Sequence, residues 1–178
     1  MEEIEVPTEH LQDEIKEKAE EQKERWTLYV ALSTAFMAVL AALAGLLAGH
    51  HANEAVIERQ KAGDQWNYYQ AKGIKSEVAA STDKILRALS TKPVPDESKA
   101  AVERYEKEKE DIKKAAEEFD KSSEEHLAKH VPLATAVTIF QIAIAISAIA
   151  ILTRRKILWY IGMLLTSAGA IFLIVGLL

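Results

Sequence analysis

Four histidines offer the most specific chemistry in this sequence: His50 and His51 in one stretch, His126 and His130 in another. His126 and His130 stand four residues apart, the spacing by which two imidazoles on one helix face share a metal ion. With Glu54 close to the first pair, the group could bind a metal or sense pH, since histidine changes charge near neutral pH. Either role requires the helices carrying the two pairs to lie side by side. Isolated histidines on a polar helix more often remain solvated. There is no Cys, which excludes thiolate chemistry, disulfides and Cys-based zinc sites. No nucleophile–base motif or phosphate-binding glycine loop is found. The sequence therefore predicts no enzyme and no cofactor beyond such a metal ion.

A second group is Asp64-Gln65-Trp66-Asn67-Tyr68-Tyr69-Gln70-Ala71-Lys72. Trp66, Tyr68 and Tyr69 cannot all occupy one helix face, so at least one meets a neighbour or a ligand, and packing is the ordinary role of such rings. Asn53, Gln60 and Asn67 follow at intervals of seven. Amides at that period fix register in a coiled-coil seam, line a wet space in an oligomer, or simply face solvent.

The elements that must position these groups emerge from the charge distribution. The 178 residues are 49% apolar with net charge -5, which argues against nucleic acid as a partner. Every charged side chain lies in residues 1–26, 50–130 or 153–156. Charge-free stretches fill 27–49, 131–152 and 157–178, each long enough for a bilayer core that takes about 20 residues to cross. The expected fold class is an all-α integral membrane protein, with three transmembrane helices and a long extramembrane antiparallel helical hairpin. Its segments are a charged N-terminal helix (1–26), the spans 27–49, 131–152 and 157–178, and the coiled-coil-like hairpin 50–130, turning near 91–96 at Pro93 and Pro95. The first apolar run is too long for a signal-peptide core of about 7–15 residues.

In the second arm Val102, Tyr105, Lys109, Ile112, Ala116, Phe119, Ser123 and His126 alternate three and four apart, a heptad seam. For the first arm, Ile74, Val78, Ile85 and Leu89 make the apolar part of the expected seam. Within the spans, Ala41, Gly45 and Gly49 are four apart, and Gly162, Gly169 and Gly176 seven apart. Such small residues allow close helix association within or between subunits. Neither the second nor the third span carries a charge, which argues against a proton-coupled transporter. Lys16, Lys18, Lys23 and Arg25 precede the first span, and Arg154, Arg155 and Lys156 link the other two. That excess places the N-terminus in the cytoplasm, residues 50–130 outside and the C-terminus at the outer interface.

The run from His51 to Lys75, with DQWNYYQAK as its most specific part, resembles the bacterial membrane proteins catalogued as domain of unknown function 4337. The resemblance extends over nearly the whole chain and implies a bacterial inner-membrane setting, in which the Lys and Arg count puts 50–130 in the periplasm. It implies no activity and supplies no catalytic residue. The expected function is a non-enzymatic oligomeric scaffold or interaction partner in the lipid bilayer, a homo-oligomer that engages another envelope protein through its hairpin. Alternatives are an oligomeric channel or small-solute pore, and a metal- or pH-responsive sensor built on His50, His51, His126 and His130.

Overall fold

The structure is a computed structural model describing residues 8–91 and 97–178, with side chains over 25–91 and 99–178. Among these residues the chain is all-helical: α1 (Thr8–Leu89), α2 (Glu97–Thr153) and α3 (Lys156–Leu177). All three are long and apolar enough to cross a membrane. Residues 1–7 of the expected N-terminal helix, and all but Thr91 of the expected turn at 91–96, lie outside the described residues. The chain divides into two compact units, Met1–Ala48 with Val131–Leu178, and Gly49–His130.

The first unit is a three-helix packing built on α2. Leu133, Ala136, Phe140, Ala143, Ser147 and Ala150 are all fully buried, and their alternation of three and four residues draws a single seam along the helix. From α1, Val30, Met37 and Ala44 face inward at intervals of seven. Ala44, Ala136 and Phe140 form the centre, flanked by Leu40, Ala41, Val137, Ala170 and Leu173. α3 buries Gly162, Thr166, Gly169 and Gly176. A Cβ at Gly162 would meet Ser147, one at Gly169 would meet Phe140, and one at Gly176 would meet Leu133. Partner numbers fall as the glycine numbers rise, so α3 runs antiparallel to α2. The connection is short because Arg154, directly after the last residue of α2, takes a left-handed φ of 54° and turns the chain, a conformation that costs any residue with a Cβ. Its N–H and that of Arg155 close α2 onto Ile151 O and Ala150 O at 3.3 and 3.2 Å.

The outer faces of this unit remain apolar: Leu32, Phe36, Leu46 and Leu164 are 59–72% exposed. Several of its hydroxyls turn back onto their own helices, although the buried Ser147 Oγ has no hydrogen-bond partner. Thr34, Thr135, Thr138, Thr166 and Ser167 each donate to the carbonyl four residues earlier at 2.7–3.1 Å. That arrangement suits a polar side chain with no water nearby. Between α3 and α1, the Trp159 indole donates to Ser33 Oγ at 3.1 Å.

In the second unit, α1 from Gly49 onward meets α2 up to His130. Ser123 Oγ donates to Ala55 O at 2.8 Å, Ser76 Oγ donates to Glu106 at 2.8 Å, and Lys72 pairs with Glu108. Higher numbers on α1 meet lower numbers on α2, which is antiparallel register. The buried side chains are small except for Ile112: Ala55, Ala62 and Ser76 from α1, and Ile112, Ala116 and Ser123 from α2. Small side chains let the two backbones approach closely, and longer polar groups then bond across the edges. The α2 residues are those of the expected heptad. The α1 expectation is corrected: Ile74, Val78, Ile85 and Leu89 are 58–80% exposed and take no part in this seam. α2 already offers short side chains at Ala116 and Ser123, and the α1 face that matches them in size carries Ala55, Ala62 and Ser76.

Candidate functional site

The second unit brings His51 and His126 together. Their Nδ1 atoms lie 2.9 Å apart, with ring centroids separated by 5.2 Å and planes tilted by 41°. The His50 ring centroid lies 5.3 Å from that of His51, with the planes tilted by 57°. At 2.9 Å one ring nitrogen must donate and the other accept, so at least one imidazole of the pair is neutral. His51 is held below the ordinary histidine pKa, first by burial and then by the positive charge available at His126, His50, Lys129 and His130.

This geometry fits a shared proton better than a metal. Two nitrogens bound at about 2.0–2.1 Å to a tetrahedral ion stand about 3.3 Å apart. Among the described residues, moreover, no group of three or more His, Cys, Asp or Glu is disposed to hold one. The expected four-histidine metal set of His50, His51, His126 and His130 thus reduces to one imidazole pair with two neighbours.

Next to the pair, a groove of about 550 Å³ runs between the helices, lined by Ala52, Ala55, Val56, Ser123, Leu127 and His130 among others.

One step further along, the aromatic run divides between two faces. The Trp66 indole donates to Asp120 Oδ2 at 2.9 Å, and Arg59 reaches Oδ1 of the same carboxylate. Trp66 also meets Tyr69 edge-on at 5.7 Å. Lys109 from α2 lies over the Tyr69 ring, while Tyr68 points outward at 49% exposure with Lys72 above it. Asp120 is therefore the hub of the cluster, and its carboxyl is depressed by the Trp66 hydrogen bond and then by Arg59. Its position between two heptad residues, Phe119 and Ser123, could have signalled a flanking role.

Asn53, Gln60, Asp64 and Asn67 are all exposed, and Gln60 borders the groove beside Arg59. Of the six small residues expected to associate helices, Gly162, Gly169 and Gly176 seat α3 on α2, Ala41 flanks the α1–α2 core, and a Cβ at Gly45 would find Val137 at an ordinary 3.8 Å. A Cβ at Gly49 would meet nothing within 4 Å.

A family model described as domain of unknown function (DUF4337) matches residues 26–178. The chain belongs to this family. No curated protein and no solved structure matches it. Within the DUF4337 match lie the histidine pair, the Trp66–Asp120 hub and the glycine seat of α3, so all of these structural features fall inside the family domain.

Proposed function

We propose that this DUF4337 protein is a non-enzymatic, multi-pass membrane protein that assembles with itself and serves as a scaffold, presenting residues 50–130 as a helical hairpin outside the bilayer. The observation that carries this reading is the division of labour on α1 in the second unit. One face is packed against α2, and the opposite face is left entirely exposed although it contains Ile74, Val78 and Ile85. Contiguous exposed apolar surface of this kind marks an interaction site. The apolar outer faces of the other unit and its internally bonded hydroxyls support a lipid environment. The basic residues around Arg25 and Lys156 support a cytoplasmic N-terminus in an inner membrane, with the hairpin on the periplasmic side.

The test is the mass of the full-length chain reconstituted in lipid nanodiscs, together with its resistance to alkaline extraction from membranes. A defined oligomer that resists extraction is expected. A monomer in lipid, or release by alkali, would overturn the proposal.

The His51–His126 contact favours a second reading, in which the same hairpin responds to pH. Protonation of both rings would replace an N–H···N bond with repulsion. The pore reading has less support. Phe140, Met37, Leu133 and Val30 fill the centre of the three-helix unit, so a path would have to form between copies.

A further inference from the structure

We propose that the outward face of α1 from Asn53 to Ala88 is a homotypic interface, pairing with the same face of a second copy of this chain in parallel and in register. The proposal rests on the membrane-scaffold reading above. Copies inserted in one bilayer share one direction, so their first arms run the same way.

Two interleaved heptad positions define the face. Ile57, Asp64, Ala71, Val78 and Ile85 follow at intervals of seven. Asn53, Gln60, Asn67, Ile74, Ser81 and Ala88 follow at the same interval, offset from the first set by three or four. Every one of these residues is exposed. At 3.5 residues per turn this stripe lies roughly 150° around the helix from the Ala55–Ala62–Ser76 seam. α1 thus carries two seams, and α2 covers one of them. The exposed apolar residues Ile57, Ile74, Val78 and Ile85 all fall on these two positions, the placement by which one helix packs against another.

The electrostatics identify that helix as a second copy. Residues 50–130 are densely charged, yet the stripe has a single ionisable member, Asp64. An amide both donates and accepts, so Asn53, Gln60 and Asn67 can each pair with their own counterparts when the register is exact to the residue. A slip of one heptad would set Asn67 against Ile74 and strand the amide. The flanking positions agree with the same alignment. Parallel pairing puts Val56 beside Lys61, Gln70 beside Lys75, Glu77 beside Thr82 and Lys84 beside Leu89, with no like charges opposed. Asp64 is the one group that meets its own charge across the axis. It weakens an association that the distal Ile74, Val78 and Ile85 layers favour.

The chain has no Cys, so single cysteines in the full-length protein, oxidised in lipid nanodiscs, report contacts directly. Disulfides need Cα atoms within about 7 Å. Asn67→Cys and Ser81→Cys should each form a homodimer, while Glu110→Cys and Glu117→Cys, exposed on α2, should not. Asp64→Asn should raise the dimer fraction severalfold at fixed protein-to-lipid ratio, and Val78→Asp should lower it severalfold. Both changes are at exposed positions, and unchanged helicity would confirm that the hairpin still folds. An oligomer cross-linked through Glu110→Cys or Glu117→Cys and silent at Asn67→Cys overturns this interface but leaves the scaffold reading standing. A monomer in lipid overturns both. Preferential cross-linking of Asn67→Cys to Ile85→Cys in a mixed sample, or a cellular adduct of another mass with no homodimer, also overturns it.

Discussion

Replacing Gly176 with alanine should destabilise the three-helix unit, and the structure gives the scale. A Cβ at that position would sit 2.5 Å from Leu133 Cγ, 2.8 Å from Leu133 Cδ2 and 3.3 Å from the Leu133 backbone nitrogen. Carbon pairs pack at about 3.5–4.0 Å, so the closest pair must separate by roughly 1 Å. Leu133 is fully buried, and the close backbone nitrogen means that a rotamer change alone does not clear the space. Overpacking of this kind costs about 1–3 kcal/mol. Alanine recovers up to about 1 kcal/mol through its higher helix propensity. Gly45→Ala, whose Cβ would find only Val137 at 3.8 Å, keeps the gain without the clash. The two variants should therefore differ by about 1–3 kcal/mol in unfolding free energy, with Gly176→Ala the less stable. Unfolding of the full-length chain in detergent, followed by helicity, measures this difference. Leu133→Ala should cost less in the Gly176→Ala background than in the native one, because it opens the space that the new methyl needs. Equal stability of the two glycine variants, or an identical Leu133→Ala penalty in both backgrounds, would refute the packing argument.

Neighbouring positions in the second unit should respond in opposite directions. Ala62→Leu forces a larger side chain into a site that is 1% exposed and should cost about 1–3 kcal/mol. Gly63→Ala, with nothing within 4 Å of its Cβ, should stabilise by up to about 1 kcal/mol; chemical denaturation distinguishes them. The depressed basicity of His51 means that the unfolded chain takes up the proton more readily. Its contribution is therefore intact above the ordinary histidine pKa of about 6.5 and is lost as pH falls below that. His51→Gln should flatten this dependence, and an unfolding midpoint that does not move on acidification of the native protein would count against it. Asp120 is a depressed carboxyl, so its bonds to Trp66 and Arg59 persist through the ordinary carboxylate range and fail as pH falls through the lowered value. Asp120→Ala should shift the Trp66 fluorescence to the red at neutral pH; an unchanged spectrum in a Trp26→Phe, Trp159→Phe background would show that the indole is held by something else.

The apolar segments were legible because lipid and the helix backbone leave few options. A charge-free run of adequate length must be helical if it is to cross a bilayer, and a two-residue break between α2 and α3 allows only an antiparallel return. The α3 glycines at intervals of seven also announced a close contact. What the spacing left open was the partner. Gly169 carries no mark that distinguishes Phe140 of its own chain from a residue of another copy, and only the three-dimensional packing supplies that difference. The histidines illustrate the same gap. Their positions near the ends of two charged segments predicted proximity, but the rotation of each helix about its axis decided that His51 meets His126 while, among the described residues, no third ligand joins them.

The misplaced seam on the first arm has a physical cause that bears on function. Hydrophobicity is the usual sign of burial, and Ile74, Val78 and Ile85 are the most apolar residues on that helix face. Within the second unit, however, size outranks hydrophobicity. Ala55 faces Ser123, Ser76 lies opposite the Glu106 turn of α2, and both are buried with Ala62 and Ala116; the edges are then secured by Arg59, Trp66 and Lys72 reaching Asp120 and Glu108. A seam of small residues gains less from burial per residue, at about 25 cal/mol per Å² of apolar area, and so depends more on those charged and aromatic clasps. The bulky apolar residues are thereby released to the opposite face, where they stay exposed. Under the proposed self-association a second copy would cover Ile57, Ile74, Val78 and Ile85 there, with the interleaved amides setting the register and Asp64 opposing it.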